Sequence, residues 1–385
     1  WNMYRGNHER TGLYSSSQEE ASVAVEHLND WNLVGLPIIV EDSYYLTVFP
    51  DAIEGTLYSF EISYIQESTL DHGNGYWLRF DSEGSNTITG APISSLTVQL
   101  SEDWNLISGI TSVVDVNSIS DPDELIIPGT FFGFSGGYFE VTELEPGQGY
   151  WVRSAGEGSI TISSGMRAKS REPINHLEGA STLTFNGQTL YFGMEIPAES
   201  SLSYSLPPKP PLGAKDIRFS CDTKLCSTNE CVIEVMNNGS LLTFEFEIKD
   251  GEYWELVPVI ANQKNLDEAI SLADQGKFPL DSEVEQWILR KSPSAVPNTF
   301  ALYPAFPNPF NPITNIRFSV GAMHATSLLQ IYDITGRLIE TLIDEELEPG
   351  HHSVQWNASG FSSGVYFVQL KSDEKRMESQ KLILL

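Results

Sequence analysis

Apolar and polar positions alternate with a period of two along most of this chain, in short runs. Leu57-Tyr-Ser-Phe-Glu-Ile62 reads this way. So do Ile316, Phe318 and Val320 against Asn315, Arg317 and Ser319, and Leu329, Ile331 and Asp333. A period of two sends successive side chains to opposite faces of a pleated strand. Glycine and Asn-Gly pairs punctuate the runs, as turn geometry requires. One short helix is predicted, Leu266 to Asp274. The pattern otherwise predicts an all-β chain.

The runs repeat. Trp31-Asn-Leu33 recurs as Trp104-Asn-Leu106, an offset of 73, and Gly75-Tyr76-Trp77 recurs as Gly149-Tyr150-Trp151, an offset of 74. Between these marks Tyr58, Phe60, Tyr64, Leu70 and Gly73 correspond to Phe132, Phe134, Tyr138, Leu144 and Gly147. Arg79 and Arg153 follow the two Gly-Tyr-Trp motifs, and each copy closes on Gly-Ser and a Thr-Ile step. Fixed-period self-similarity marks a repeated structural unit. We read two small β modules, 20–92 and 93–166. Their anchors are Trp31, Tyr76, Trp77, Trp104, Tyr150 and Trp151. Flat aromatics can stack on sugars, but a buried Trp also removes about 150–250 Å² from water. At ~25 cal/mol per Å² that contributes roughly 4–6 kcal/mol, which a module of this size needs. Core is the favoured reading of these tryptophans.

After a polar linker at 166–178, Leu183 to Phe192 predicts a hairpin turning at Asn186-Gly187. Tyr204-Ser-Leu-Pro-Pro-Lys-Pro-Pro211 carries two proline pairs, which cannot lie inside a sheet, so a rigid extended loop is predicted. Ile217 to Phe219, Cys231 to Val235 and Leu241 to Ile248 continue as strands, with a turn at Asn237-Asn-Gly239, and Val284 to Arg290 closes the domain. The 291–297 stretch, rich in Pro and Ser, is a linker.

The last 83 residues, from Tyr303, carry the clearest motifs. Pro307, Pro309 and Pro312 remove three backbone donors and force Phe306-Pro-Asn308-Pro-Phe310-Asn311-Pro312 into an extended form. Turns follow at Asp333-Ile-Thr-Gly336 and Glu348-Pro-Gly350. His352, Val354 and Trp356 share a face. Gly364 opens a strand through Tyr366, residues 371–376 form a charged hairpin, and Lys381-Leu-Ile-Leu-Leu385 is an apolar final strand. Six or seven short strands at this spacing suggest an Ig-like sandwich. The final strand is expected to present an open edge for strand addition.

Three stretches resemble known proteins. YPAFPNPFNPITNIRFSV, LLQIYDITGRLIETL, PGHHSVQWNASGFSSGVYFVQL and KLILL together resemble the type A C-terminal sorting domain of the bacterial type IX secretion system. The resemblance implies export across the outer membrane, with this domain as the signal. It also implies the secretion translocon and a sorting peptidase as partners, and a cell-surface or extracellular destination. Pro307, Asn308, Pro309, Phe310, Asn311, Pro312, Tyr332, Gly336, Gly350, Trp356, Gly364, Tyr366 and Lys381 carry the motif. The run Leu206 to Phe219 resembles a β-sandwich module found upstream of the same domain in other exported proteins. Residues 1–14 resemble an element at the edge of β-propeller-like repeats, so segment 1–19 reads as the remnant of such a domain, and the chain as a processed or truncated product. An SH3-type ligand reading of the proline pairs is set aside, since such partners are not expected for an exported bacterial protein.

Charge sharpens this picture. The chain holds 22 basic and 52 acidic residues, a formal net charge of −30. Such a surface repels nucleic acid and anionic membranes, and the sequence has no apolar run long enough to predict a transmembrane helix. Cys221, Cys226 and Cys231 are spaced C-x4-C-x4-C without a nearby histidine, which argues for one disulfide and one thiol over zinc. The spacing leaves the pairing open. No metal or cofactor is expected. Gly133-Phe-Ser-Gly-Gly137 fits G-x-S-x-G, but a strand pattern follows the serine where a nucleophile elbow needs a helix.

The expected architecture is therefore all-β: tandem small β modules followed by two Ig-like sandwich domains, at 179–292 and 298–385. The expected function is that of a non-catalytic stalk, adhesin or binding region behind an export signal. Two alternatives remain: the accessory tail of an exported hydrolase or peptidase, or a self-associating surface polymer.

Overall fold

The computed structural model describes residues 20–165, 177–185, 187–236, 242–249, 251–260, 263–264, 269–273, 275–280, 284, 286–292, 300–320, 325–347, 350–372 and 377–385. They are mostly strand, and the fold is all-β. They form two compact units: residues 20–165 with Pro207–Leu212, and the remainder. The 1–19 segment, residues 166–176 of the first linker, Asn186, the 237–239 turn, residues 348–349 and 373–376, and 293–297 of the second linker lie outside the described residues.

In the first unit each repeat builds one four-stranded antiparallel sheet. The first runs Asp30–Gly35, Gly75–Phe80, Tyr58–Phe60, Tyr64–Gln66; the second runs Asp103–Ser108, Gly149–Ser154, Phe132–Phe134, Tyr138–Glu140. Registers coincide. Leu33 faces Trp77 and Leu106 faces Trp151, with Tyr58 and Phe132 across from the same tryptophans. A second layer pairs Ala21–His27 with Gly84–Pro92, and Ser95–Leu100 with Gly158–Ser163. Apolar residues pack between the layers, Leu36, Leu57, Leu70 and Leu78 in one copy and Ile110, Leu144, Val152 and Ile160 in the other.

The copies also complete each other. Gly35 N donates to Gly147 O at 2.9 Å, and at the corresponding place Ser108 N donates to Gly73 O at 3.0 Å. Phe60 packs edge-on 4.9 Å from Trp151, and Phe134 packs 4.7 Å from Trp77. The alternation read through Ile62 stops early: the strand ends at Phe60, and Ile62 is 96% exposed. Residues 61–63 form the hairpin tip, where Glu61 N bonds Ser63 O and no facing layer remains to cover a side chain.

In the second unit, residues 181–291 form two facing sheets around Leu183, Phe192, Ile233, Phe244, Trp254 and Trp287. One sheet is ordered Leu225–Cys226, Gln188–Phe192, Ser181–Phe185, Leu242–Glu247, Gln275–Leu280. The other is ordered Asp216–Phe219, Glu230–Met236, Gln286–Lys291, Trp254–Ile260, Gln263–Lys264, with Ile270–Leu272 also on Trp254–Ile260. The helix expected at 266–274 is thus a strand where described. Ile270–Leu272 pairs antiparallel with Trp254 to Leu256, and this tertiary pairing overrides a weak local helical pattern. The strand expected to close the domain lies inside its sheet, between two neighbours.

Among the described residues, the last domain has seven strands in two sheets. Ala301–Phe306, Ile313–Val320 and Gly350–Asn357 form one; Leu338–Leu347, Ala325–Asp333, Gly364–Ser372 and Met377–Leu384 form the other. Ile316, Phe318, Val320, Leu329, Ile331, Val368, Leu370 and Leu382, all 0% exposed, pack between them.

Candidate functional site

The proline-rich motif and the chain terminus are about 70 residues apart in sequence, yet they meet. Asn308 Nδ2 donates to Lys381 O at 2.8 Å, and Asn308 Oδ1 accepts from Ile383 N at 2.8 Å. Phe310 N then donates to Ile383 O at 2.9 Å, and Leu385 N donates to Phe310 O at 2.9 Å. Phe310 is 1% exposed and packs 5.4 Å from Trp356, while Ala305 N is held by Gln380 Oε1 at 2.8 Å. The final strand therefore has partners on both sides along Lys381 to Leu385. The open edge expected there is closed by the motif itself, because an Asn side chain and a phenylalanine backbone supply the missing ladder.

The remaining motif residues hold this end together. Thr314 Oγ1 donates to Pro307 O at 2.7 Å, and Ala358 N donates to Pro312 O at 2.8 Å. Trp356 is 0% exposed; its Nε1 donates to Glu340 Oε2 at 2.9 Å, and its ring lies 5.4 Å from Tyr366. Tyr366 in turn donates to Ser362 O at 2.7 Å. Gly336 takes φ +78° in the turn whose carbonyl and carboxylate come from Asp333. The Thr335 hydroxyl, 2.6 Å from Asp333 Oδ1, holds that carboxyl below its usual range. Tyr332 lies beside that turn, under the Lys371 ammonium, whose Nζ donates to its hydroxyl at 2.9 Å. Gly350 and Gly364 each open a strand. Where the two runs meet, Pro307, Asn308, Pro309 and Asn311 are exposed on one, and Lys381 and Leu385 on the other. Nearby, burial lowers the Arg317 guanidinium to about 10.

The repeat anchors are interior. Trp77 and Trp151 are 0% exposed, Trp31 is 8%, and Trp104 is half-buried. Tyr76 and Tyr150 accept backbone hydrogen bonds from Asp71 N at 3.0 Å and Glu145 N at 2.7 Å. Burial pushes both phenols up, Tyr150 to about 12.

Several residues beside these anchors had no assigned role in the sequence. Asn32 bonds Leu28 N and O at 2.8 Å and Asp30 O at 2.9 Å; Asn105 does the same at Ser101 and Asp103. These amides close the turns in which Asp30 and Asp103 take φ of 75° and 77°. The same aspartates pair with Arg79 and Arg153 at 2.6 and 2.8 Å, setting the guanidinium groups 6.0 and 5.8 Å from the Trp31 and Trp104 rings. Recurrence of Asp-Trp-Asn in both copies was the available signal.

Cys226 and Cys231 form a disulfide, and Cys221 is an exposed thiol. The bond ties Leu225–Cys226 in one sheet to Glu230–Met236 in the other. Asp216 and Arg218 form a buried ion pair, with Asp222 on a second guanidinium nitrogen at 3.0 Å. Ser135, in the G-x-S-x-G sequence, sits in a hairpin turn between Phe132–Phe134 and Tyr138–Glu140, next to Gly136 at φ +69°.

Residues 304–385 match the family described as the secretion system C-terminal sorting domain. No curated protein matches the chain. Among the described residues, no helix is long and apolar enough to cross a membrane. The match falls on the domain whose motif residues assemble into the closed end, and a sorting domain engages the type IX secretion machinery. The chain is a type IX secretion sorting-domain protein, exported to the cell surface or the extracellular space.

Proposed function

We propose that residues 20–292 are a non-catalytic stalk or adhesin, and that the secretion machinery reads the closed end of the sorting domain. The observation that carries this reading is the Asn308 amide bridging Lys381 O and Ile383 N. It joins the two ends of the motif into one exposed surface of Pro307, Asn308, Pro309, Asn311, Lys381 and Leu385. Cleavage by a sorting peptidase in the 291–297 linker would release the cargo. Support for the cargo reading comes from the aromatic anchors, which are packed into the two repeats and not held open at a cleft.

The test is a reporter fused to residues 297–385, behind a Sec leader, in a host with this secretion system. The wild-type fusion should reach the cell surface. Asn308→Ala, and separately removal of Lys381 to Leu385, should leave the reporter in the periplasm. Surface display of both variants at the wild-type level would refute recognition at the closed end. Retention of the wild-type fusion would refute the sufficiency of the domain itself.

A further inference from the structure

Pro207–Leu212 packs against the two repeats in a way that a passive loop does not require. Tyr64 Oη donates to Lys209 O at 2.7 Å, and Tyr138 Oη donates to Pro208 O at 2.7 Å. Tyr64 and Tyr138 are equivalent positions of the two copies, 74 residues apart. A third donor, Trp31 Nε1, reaches Leu212 O at 3.2 Å. The segment's own burial has a period of three: Pro207 and Pro210 are buried, Lys209 and Leu212 exposed. That is the period of a polyproline II helix, which has three residues per turn and whose carbonyls lack internal partners. Proline-rich ligands dock in this form on aromatic-lined grooves that donate to those carbonyls. Here the aromatic lining continues behind the donors, with Phe60 5.3 Å from Tyr64 and Phe134 5.4 Å from Tyr138.

We propose that the face shared by the two repeats around Tyr64 and Tyr138 is a recognition groove for an extended proline-rich peptide, and that Pro207–Leu212 of the same chain is its ligand. The duplication has a purpose on this reading. One repeat offers one tyrosine hydroxyl; two copies packed reciprocally offer two, set to meet the adjacent carbonyls of Pro208 and Lys209. Because the ligand is tethered, its effective concentration is of millimolar order, and a free peptide sees the groove only when the tethered one is removed.

The experiment uses the full chain with residues 207–212 replaced by a Gly-Ser sequence of the same length. The probe is a fluorescent peptide of residues 204–214, with a scrambled peptide of the same composition as control. The replaced chain should bind the probe, the intact chain should not at the same concentration, and the scrambled peptide should bind neither. Adding Tyr64→Phe and Tyr138→Phe to the replaced chain removes two hydrogen bonds and should weaken binding about thirty-fold. Should the replaced chain fail to fold, Pro211→Ala takes its place, because loss of one buried ring weakens the tethered ligand and should admit the probe. No binding to either variant overturns the proposal, and so does binding that the two Tyr→Phe changes leave unaltered.

Discussion

Gly75→Ala tests whether the glycine of the Gly-Tyr-Trp motif is set by the neighbouring repeat. An ideal Cβ at Gly75 would lie 2.4 Å from Ile107 O and 3.1 Å from Leu106 Cγ. A backbone oxygen held in a sheet cannot rotate away, so the two repeats must part. Gly149 has the reciprocal contact, 2.8 Å from Val34 O. Overpacking of this kind costs roughly 1–3 kcal/mol, and the shorter contact belongs at the upper end. In a unit of this size each kcal/mol lowers the midpoint by about 2–4 °C, so Gly75→Ala should lower it by roughly 6–12 °C. Gly136→Ala is the control: its Cβ meets nothing within 4 Å, but its φ is +69°. That change should cost about 1–2 kcal/mol through the left-handed conformation alone. Calorimetry of the full chain, with near-UV circular dichroism following the tryptophan-rich unit, reads both. Equal shifts for the two variants, or an unchanged midpoint for Gly75→Ala, would refute the reasoning.

Trp77→Ala should destabilise the first unit by about 3–5 kcal/mol, since the ring is 0% exposed between Trp31, Phe134 and Tyr138. An unchanged melting curve together with loss of retention on immobilised glycans would point instead to a sugar platform. Alkaline titration checks Tyr150. Burial raises its phenol from 10 to about 12, so the folded state favours the neutral form. The resulting stabilisation is complete below pH 10 and is lost as the pH rises from about 10 to 12. Tyr150→Phe cannot ionise, so its midpoint should fall less steeply than wild type across that window. Parallel slopes would refute the assignment.

The all-β fold was legible because period-two alternation and glycine punctuation are local properties, and the repeat was legible because Trp31 to Trp77 recurs in order. The pairing between the copies was not. Gly35, Gly75 and Gly149 look like turn residues in one dimension, whereas Gly75 and Gly149 make room for backbone, and Gly35 for the Ser108 side chain, from positions tens of residues away. The strand at Ile270–Leu272 was missed because its ladder partner, Trp254 to Leu256, is remote in the sequence and gives no local signal. The proline pairs lie outside any strand, as their lack of N–H donors requires, but nothing in their own sequence could say that Tyr64 and Tyr138 receive them. The closed edge was missed for a related reason. Burial alternation places Leu382 and Leu384 inward, but it says nothing about which groups meet the strand sideways.

That sideways contact explains the composition of the motif. Along Lys381 to Leu385 the final strand needs one donor and one acceptor from each partner peptide. The Asn308 side chain is a primary amide and offers both, with a donor for Lys381 O and an acceptor for Ile383 N. Aspartate would lack the donor, and an aliphatic residue would lack both. Pro307 and Pro309 flank it without N–H groups, so the latch closes one edge and leaves no donor row for another chain. Opening it for strand addition would break four hydrogen bonds, at about 1 kcal/mol each, and expose the Phe310 ring at roughly 2–3 kcal/mol more. A partner that pairs with the final strand must supply that much before gaining anything. A partner that reads the closed surface supplies none of it. The second route avoids an opening cost of roughly 6–7 kcal/mol, and this is why the proposed recognition surface is the latched end and not a bare strand.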